Sequence, residues 1–220
     1  MLLEIFTLSL EPVDPIQFSV AEFRSYFAGK LDEYTALHKG NATGFIHRYP
    51  VVQCKQIKNT LIIIGISQGA ALLEQLSVNQ KEISEGRNRC TILTRDTTIR
   101  KEEFGISGIT HTYEFQTPWL ALNQQNAKKF YDLKGKPERD AFIKKILVGN
   151  LTTLSKSLDY KIPVPISCEA KMKFRIDWIE RESVMVFLGK FQTNLRIPDY
   201  FGIGQSVSLG FGTIRELRPE

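Results

Sequence analysis

The side chains that could carry acid–base chemistry are few, because the chain has only three histidines. His38 follows a segment with helical spacing and precedes the polar turn sequence Lys-Gly-Asn, so we expect solvent to reach its imidazole. Such an imidazole titrates near neutral pH and can act as a general acid or base. A surface histidine without a function is the alternative, and position alone favours it. His111 falls on a predicted strand without evident partners and is interpreted as structural.

Four polar residues share one face of an extended segment, 44–55, because a strand repeats every two residues and all four are odd-numbered: His47, Tyr49, Gln53 and Lys55. An imidazole, a phenol and an ammonium on one face could hold a phosphate and assist proton transfer. The same face could equally be the solvated side of an edge strand, where charged residues are common. A metal site built from His38, His47 and Cys54 is a weak alternative, because the spacing matches no standard metal site.

Glycines are concentrated near residue 200, where two Gly-apolar-Gly triplets flank five residues: Gly202-Ile203-Gly204 and Gly210-Phe211-Gly212. Glycine tolerates positive φ, and clustered backbone amides can bind an anion. The segment lacks the Gly-Lys-Ser/Thr of a P-loop and does not open the long helix of a dinucleotide site. It is either a loop that binds a ligand through its backbone or a glycine-rich turn before a last strand, and the loop alone favours the turn.

Basic side chains form two groups in the second half of the chain. Three of them alternate along a strand predicted from 168 to 178: Lys171, Lys173 and Arg175. A basic strand face suits a sugar-phosphate backbone, although a solvated outer face with Glu169 and Asp177 at its ends explains it equally well. The region 128–145 adds seven cations against three acids: Lys128, Lys129, Lys134, Lys136, Arg139, Lys144 and Lys145.

The composition limits the classes of protein to which the chain can belong. It has 220 residues, 42% of them hydrophobic, a net charge of +5 and a pI near 9.0, which suits one large or two small globular domains and permits nucleic-acid binding. Three scattered cysteines, no signal peptide and no apolar run of membrane-spanning length predict a cytoplasmic protein without a membrane partner. No Ser-His-Asp, HExxH, paired-carboxylate or P-loop motif is found, which disfavours metal-dependent hydrolysis and nucleoside triphosphate chemistry.

The first half alternates as strand, helix, strand, strand, helix and strand: 2–10, 20–36, 44–55, 61–66, 68–78 and 90–94. This βαββαβ order is the ferredoxin-like unit, in which the first and third strands are central and the second is an edge. Pro50 within the second strand indicates an edge, and the wholly apolar third strand indicates a central position.

The second half predicts a similar, modified series in which the glycine-rich loop precedes the last strand: strand 109–118, helices 123–131 and 138–158, strands 168–178 and 183–191, and strand 213–217. We therefore predict an α+β protein with tandem ferredoxin-like (RRM-like) βαββαβ domains and a C-terminal glycine-rich loop. The predicted domains are 1–105 and 106–220, and the loop belongs to the second.

Three stretches of this chain resemble the CRISPR-associated repeat-RNA processing endoribonucleases of the RAMP superfamily. They are the loop 202–212 before a last strand, the segment 48–55 before an apolar strand, and Leu37-His38 after the first helix. The likeness spans nearly the whole chain, and the loop is its most specific part.

The resemblance implies cleavage of precursor CRISPR RNA within its repeats, without metal or cofactor. The 2′-hydroxyl attacks the adjacent phosphate and leaves a 2′,3′-cyclic phosphate and a 5′-hydroxyl. It implies that His38 is the acid or base, that Tyr49 positions groups or transfers a proton, and that Lys55 stabilises charge. The expected RNA contacts are Lys171, Lys173, Arg175, Gly202, Gly204, Gly210 and Gly212.

One departure concerns a second histidine, which some relatives carry two residues after the first and which is Gly40 here. Either His38 acts with Tyr49 alone, or His47 substitutes, or activity is weak. A RAMP-type subunit that holds crRNA in a CRISPR effector complex without cutting it is the alternative function. A ferredoxin-like ligand-binding protein without an RNA role is the third. The expected partners are CRISPR repeat RNA and, as further candidates, effector-complex subunits and a second copy of the chain.

Overall fold

The structure is a computed structural model, and it describes most of the chain: residues 1–17, 19–37, 49–75, 82–85, 88–179 and 182–218. The polypeptide divides into two compact units. The N-terminal unit contains Leu2–Glu102 and Ser208–Gly210. The C-terminal unit contains Met1, Glu103–Val207 and Phe211–Glu220. Each unit has its own sheet and its own buried core.

The N-terminal unit is a ferredoxin-like unit with one added strand. Its elements are β1 (Leu2–Pro12), α1 (Val20–Leu37), β2 (Val52–Ile57), β3 (Thr60–Ile66), α2 (Gln68–Gln75), β4 (Glu82–Glu85) and β5 (Asn88–Glu103). The strand order is β2-β3-β1-β5-β4, so β1 and β3 are interior strands and β2 is an edge, as predicted. The short β4 pairs with β5 and was not predicted.

Sequence signals explain how these elements begin and pack. Ser19 and Glu22 form the predicted capping box, with Ser19 N donating to Glu22 Oε2 at 2.7 Å and Glu22 N donating to Ser19 Oγ at 3.2 Å. Helix α1 packs Phe23 and Phe27 into a core that also contains Phe6 and Ile63. All the isoleucines of β3 are buried, because both faces of this interior strand are covered.

The second strand is shorter than predicted. It begins at Val52, so Pro50 lies before the strand and not within it. A proline there removes no ladder hydrogen bond, which is consistent with its position at a strand start. Residues 44–48 of the predicted strand lie outside the described residues.

The C-terminal unit repeats the plan with a change before its last strand. Its elements are β6 (Gly105–Phe115), α3 (Gln124–Asp132), α4 (Lys136–Ser157), β7 (Cys168–Ile179), β8 (Glu182–Arg196) and β9 (Ile214–Glu216), in the sheet order β7-β8-β6-β9. Between β8 and β9 a single 3-10 turn, Val207–Leu209, replaces the second helix. The protein is therefore α+β with tandem ferredoxin-like units, as predicted.

The described helices include none that is long and apolar enough to span a bilayer. The three cysteines, Cys54, Cys90 and Cys168, are buried free thiols.

Candidate functional site

The polar side chains of β2 are buried in the N-terminal unit. Gln53 and Lys55 are both 0% exposed, and Lys55 Nζ donates to Gln53 Oε1 at 2.8 Å. Gln53 Nε2 in turn donates to Pro50 O at 3.0 Å. The interpretation of this face as solvated is therefore wrong for Gln53 and Lys55, because this edge strand has both of its faces covered.

Burial gives Lys55 an unusual proton affinity. Desolvation lowers the pKa of Lys55 to about 7, and the neighbouring Cys54 only partly opposes that shift. Burial also raises the pKa of Cys54 to about 12, so its thiol stays protonated at neutral pH and is not a nucleophile. An amine that exchanges its proton near neutral pH meets the first requirement of a general acid or base.

The Lys55→Met variant is expected to lose a pH dependence of stability. The unfolded chain keeps the Lys55 proton up to about pH 10.4, whereas the folded chain releases it near pH 7. The unfolded state thus binds more protons between these values, and the free energy of unfolding rises with pH. Urea titrations should show wild type gaining about 1.5 kcal/mol from pH 7 to pH 8.5 through this group.

The matched control is Lys145→Met, which removes an exposed amine from α4 and should keep the wild-type gain. Equal gains in wild type and Lys55→Met would show that Lys55 holds its proton in the folded state.

Gly210 of the glycine-rich loop lies against β2 within the same unit. Its φ is +84°, and a Cβ atom there would stand 3.0 Å from Cys54 O and 3.2 Å from Lys55 Cα. The close approach needs a residue without a side chain. The structure therefore brings together two of the predicted site residues, Gly210 and Lys55.

Several backbone groups of the loop are already bonded to the protein's own backbone. Ile203 N donates to Gly212 O at 2.9 Å, Gly212 N to Pro118 O at 2.8 Å, and Gln205 N to Leu120 O at 3.2 Å. Gly202 and Gly212 are buried, and the exposed part of the loop is 204–206. Since these three amides are already engaged, they do not form the anion-binding concavity that the sequence suggested.

The predicted acid–base residues are only partly described. Tyr49 is half-buried and lies before β2, so it does not share the face of that strand with Gln53 and Lys55. His38 directly follows the last residue of α1, Leu37. His38 and His47 both lie outside the described residues.

The predicted basic stripe lies on an edge strand, β7. Lys171, Lys173 and Arg175 are all exposed, and Arg175 Nε forms an ion pair with Asp177 Oδ1 at 2.8 Å. Within the described ranges, Lys171 and Lys173 have no ion pair. The stripe therefore offers two uncompensated cations and one that is largely neutralised.

His111 has two partners that the sequence analysis missed. It is 5% exposed, its Nδ1 lies 2.6 Å from Glu216 Oε1, and its Nε2 lies 2.8 Å from Ser107 Oγ. Ser107 Oγ also donates to Ile109 O at 2.9 Å. The expectation that His111 has no partner is wrong, and the histidine links β6 to β9. No local spacing signals this, because Glu216 is far away in the sequence.

Two family models divide the chain between them. The model of the Cas6b N-terminal domain matches residues 1–103, and that of the Cas6b C-terminal domain matches residues 105–217. The chain belongs to the Cas6b family. The predicted resemblance to CRISPR-associated endoribonucleases of the RAMP superfamily is thereby confirmed.

Solved structures agree with this assignment to Cas6b. A crystal structure of Cas6b is 30% identical, with a TM-score of 0.86 over 99% of this chain and 100% of that one. A crystal structure of the CRISPR RNA processing endoribonuclease Cas6b is 28% identical, with a TM-score of 0.77 over 99% and 100%. An uncharacterised protein of Methanocaldococcus jannaschii is 36% identical over 125 residues, which are 53% of this chain and 79% of that protein.

Proposed function

We propose that this Cas6b chain is an endoribonuclease that cuts precursor CRISPR RNA within its repeats. The observation that carries the proposal is the match of both Cas6b domain models, one to each half of the chain. A CRISPR RNA processing endoribonuclease with the same fold over 99% of this chain adds support.

The proposed reaction is a transesterification that needs no metal. A base removes the proton of the 2′-hydroxyl, O2′ attacks phosphorus, the bond from phosphorus to O5′ breaks, and an acid protonates O5′. The products are a 2′,3′-cyclic phosphate and a 5′-hydroxyl. The protein must supply a base, an acid and donors for the charge on the phosphorane.

The candidate groups are His38 as acid or base, Tyr49 as a positioning or proton-transfer residue, and Lys55 as the source of positive charge. Lys55 Nζ is buried and donates to Gln53 Oε1. Lys55 would therefore stabilise the charge on the phosphorane through the Gln53 amide or at a short distance without contact. Direct contact would require RNA binding to expose Nζ. In this proposal the basic stripe Lys171, Lys173 and Arg175 and the exposed loop segment 204–206 contact the RNA backbone.

Cleavage of a synthetic repeat RNA in excess chelator tests the proposal. We expect wild type to cut the RNA, to leave a cyclic phosphate that mass spectrometry detects, and to leave uncut an RNA with a single 2′-deoxy substitution at the scissile position. Cutting that requires added Mg²⁺, or cutting of the 2′-deoxy RNA, would contradict the mechanism.

A second candidate function is the crRNA-binding subunit without nuclease activity, which Gly40 favours because some relatives carry a histidine there. That function predicts tight, salt-sensitive binding of repeat RNA with no cleavage under any of these conditions.

A further inference from the structure

A cavity of about 460 Å³ opens on the C-terminal unit beside β7 and the start of α4. Its apolar side contains three phenylalanines, Phe130, Phe174 and Phe187. Phe130 and Phe187 are 2% and 1% exposed, whereas Phe174 is 45% exposed. The centre of the Phe174 ring lies 5.3 Å from the centre of the Phe130 ring and 6.1 Å from that of the Phe187 ring. Two buried rings thus hold a third that is open to the cavity.

Positive charge surrounds this aromatic surface. The cavity is lined by Lys134, Lys136, Arg139 and Lys173, against one acid, Asp140. Asp140 already pairs with Lys136. Lys134 has no ion pair in the part of the chain that the structure describes. Lys173 borders the cavity but alternates with Phe174 along β7, so its side chain lies on the other face of the sheet. The cavity therefore carries an uncompensated positive charge.

Arg139 is held in place at the same cavity. Its Nε donates to Leu133 O at 3.1 Å, and its guanidinium carbon lies 5.3 Å from the centre of the Phe130 ring. A guanidinium plane fixed in this way can stack on a flat ligand or bind a phosphate without first losing conformational freedom.

We propose that this cavity binds one unstacked base of the repeat RNA together with a neighbouring phosphate. Proteins recognise single-stranded RNA by stacking splayed bases on aromatic rings and arginine planes while cations bind the backbone. The volume lies within the ~300–1,000 Å³ range of small-ligand sites. The proposal rests on the proposed function, since it concerns the RNA substrate of the same protein.

Charge distinguishes this ligand from an apolar peptide. An apolar side chain could fill the space beside Phe174, but it would leave Lys134 and Arg139 without a counter-charge. A nucleobase can stack on the aromatic rings while its neighbouring phosphate pairs with the cations.

The test is a set of repeat RNAs, each with one abasic nucleotide, titrated against wild type, Phe174→Leu, Phe174→Ala and Lys156→Ala. We expect one RNA of the set, with its abasic nucleotide at the position that enters the cavity, to bind wild type about 10-fold more weakly than the unmodified repeat. The same abasic RNA and its parent should bind Phe174→Ala with equal affinity, because the ring on which the base stacks is gone. Phe174→Leu keeps an apolar side chain but has no ring. It should also bind the abasic RNA and its parent with equal affinity, which separates stacking from packing.

The control Lys156→Ala removes an exposed cation from the other end of α4 and should keep the wild-type abasic pattern. Arg139→Ala should weaken binding of every RNA and reduce the slope of log affinity against log salt by about one. Far-UV circular dichroism and thermal unfolding check that each variant is folded.

The outcomes separate this inference from the proposed function. In one outcome, wild type binds and cuts the repeat while every abasic position weakens binding by wild type and by Phe174→Ala equally. That result would contradict the base pocket and leave the proposed nuclease function intact. If wild type does not bind the repeat, both fail. A free nucleotide is the other source of the same chemistry, so adenosine 5′-monophosphate is titrated in parallel. Loss of its binding in Phe174→Ala with unchanged RNA affinity would overturn the RNA pocket.

Discussion

Replacing His38 by alanine is expected to slow cleavage of repeat RNA by about 100- to 10,000-fold. The loss follows because transesterification needs one group to take the proton of the 2′-hydroxyl and another to give a proton to O5′, and imidazole performs either step near neutral pH. Binding should change by less than about twofold, since the variant leaves the cations that hold the phosphates in place. Single-turnover cleavage in excess chelator and filter binding of a 2′-deoxy RNA measure the two effects separately.

His47→Ala is the matched control, and it also tests whether His47 substitutes for the histidine that Gly40 replaces. We expect a small effect if His38 acts with Tyr49, and a loss comparable to that of His38→Ala if His47 provides the second proton-transfer group. Full activity in His38→Ala would remove His38 from the mechanism. Loss of RNA binding in parallel with cleavage would instead assign it a structural or binding role.

Gly212→Ala should destabilise the C-terminal unit by about 3 kcal/mol or more. Gly212 has a φ of +63°, which an alanine adopts only with strain, and its Cβ would stand 1.9 Å from Ile203 O. That oxygen belongs to backbone, so relief of the clash would break the bond from Ile203 N to Gly212 O. Urea unfolding monitored by tryptophan fluorescence measures the change, because Trp119 is buried in this unit.

Gly149→Ala is the corresponding control on α4. Apart from its chain neighbours and the backbone of its own helix, no heavy atom of the described residues lies within 4 Å of a Cβ at this position. Alanine should therefore stabilise the helix by about 0.5–1 kcal/mol. If Gly212→Ala unfolds at the wild-type urea concentration, the loop does not depend on glycine at that position.

Elements with a strong hydrophobic period could be predicted from the sequence. The helix predicted at 138–158 is α4, Lys136–Ser157, because its apolar side chains recur at helical spacing over its whole length. The strand β4, Glu82–Glu85, was missed, since four residues with one apolar side chain carry no usable period. Its pairing with β5 is a tertiary interaction that no local pattern reports.

The site was harder to predict, because burial and long-range contacts decide it. Alternation placed Lys55 on one face of an edge strand, but nothing in the spacing shows that this face is covered and that the pKa of Lys55 falls as a result. His111 and Glu216 meet across almost half of the chain. Phe130, Arg139 and Phe174 likewise come from three different elements, and each alone has the sequence signature of an ordinary core or surface residue.

The pairing of β9 with β6 has a consequence for how the chain folds. Glu114 pairs with Arg215, although the two are about a hundred residues apart in sequence. During synthesis, β8 is complete before Ile214–Glu216 leaves the ribosome, so β6 can pair with β8 on one side while its other side presents unpaired backbone groups. Such an edge is a template for pairing with another chain. Completion of the sheet is therefore a late step, and a nascent chain stalled before Ile214 would tend to aggregate through β6.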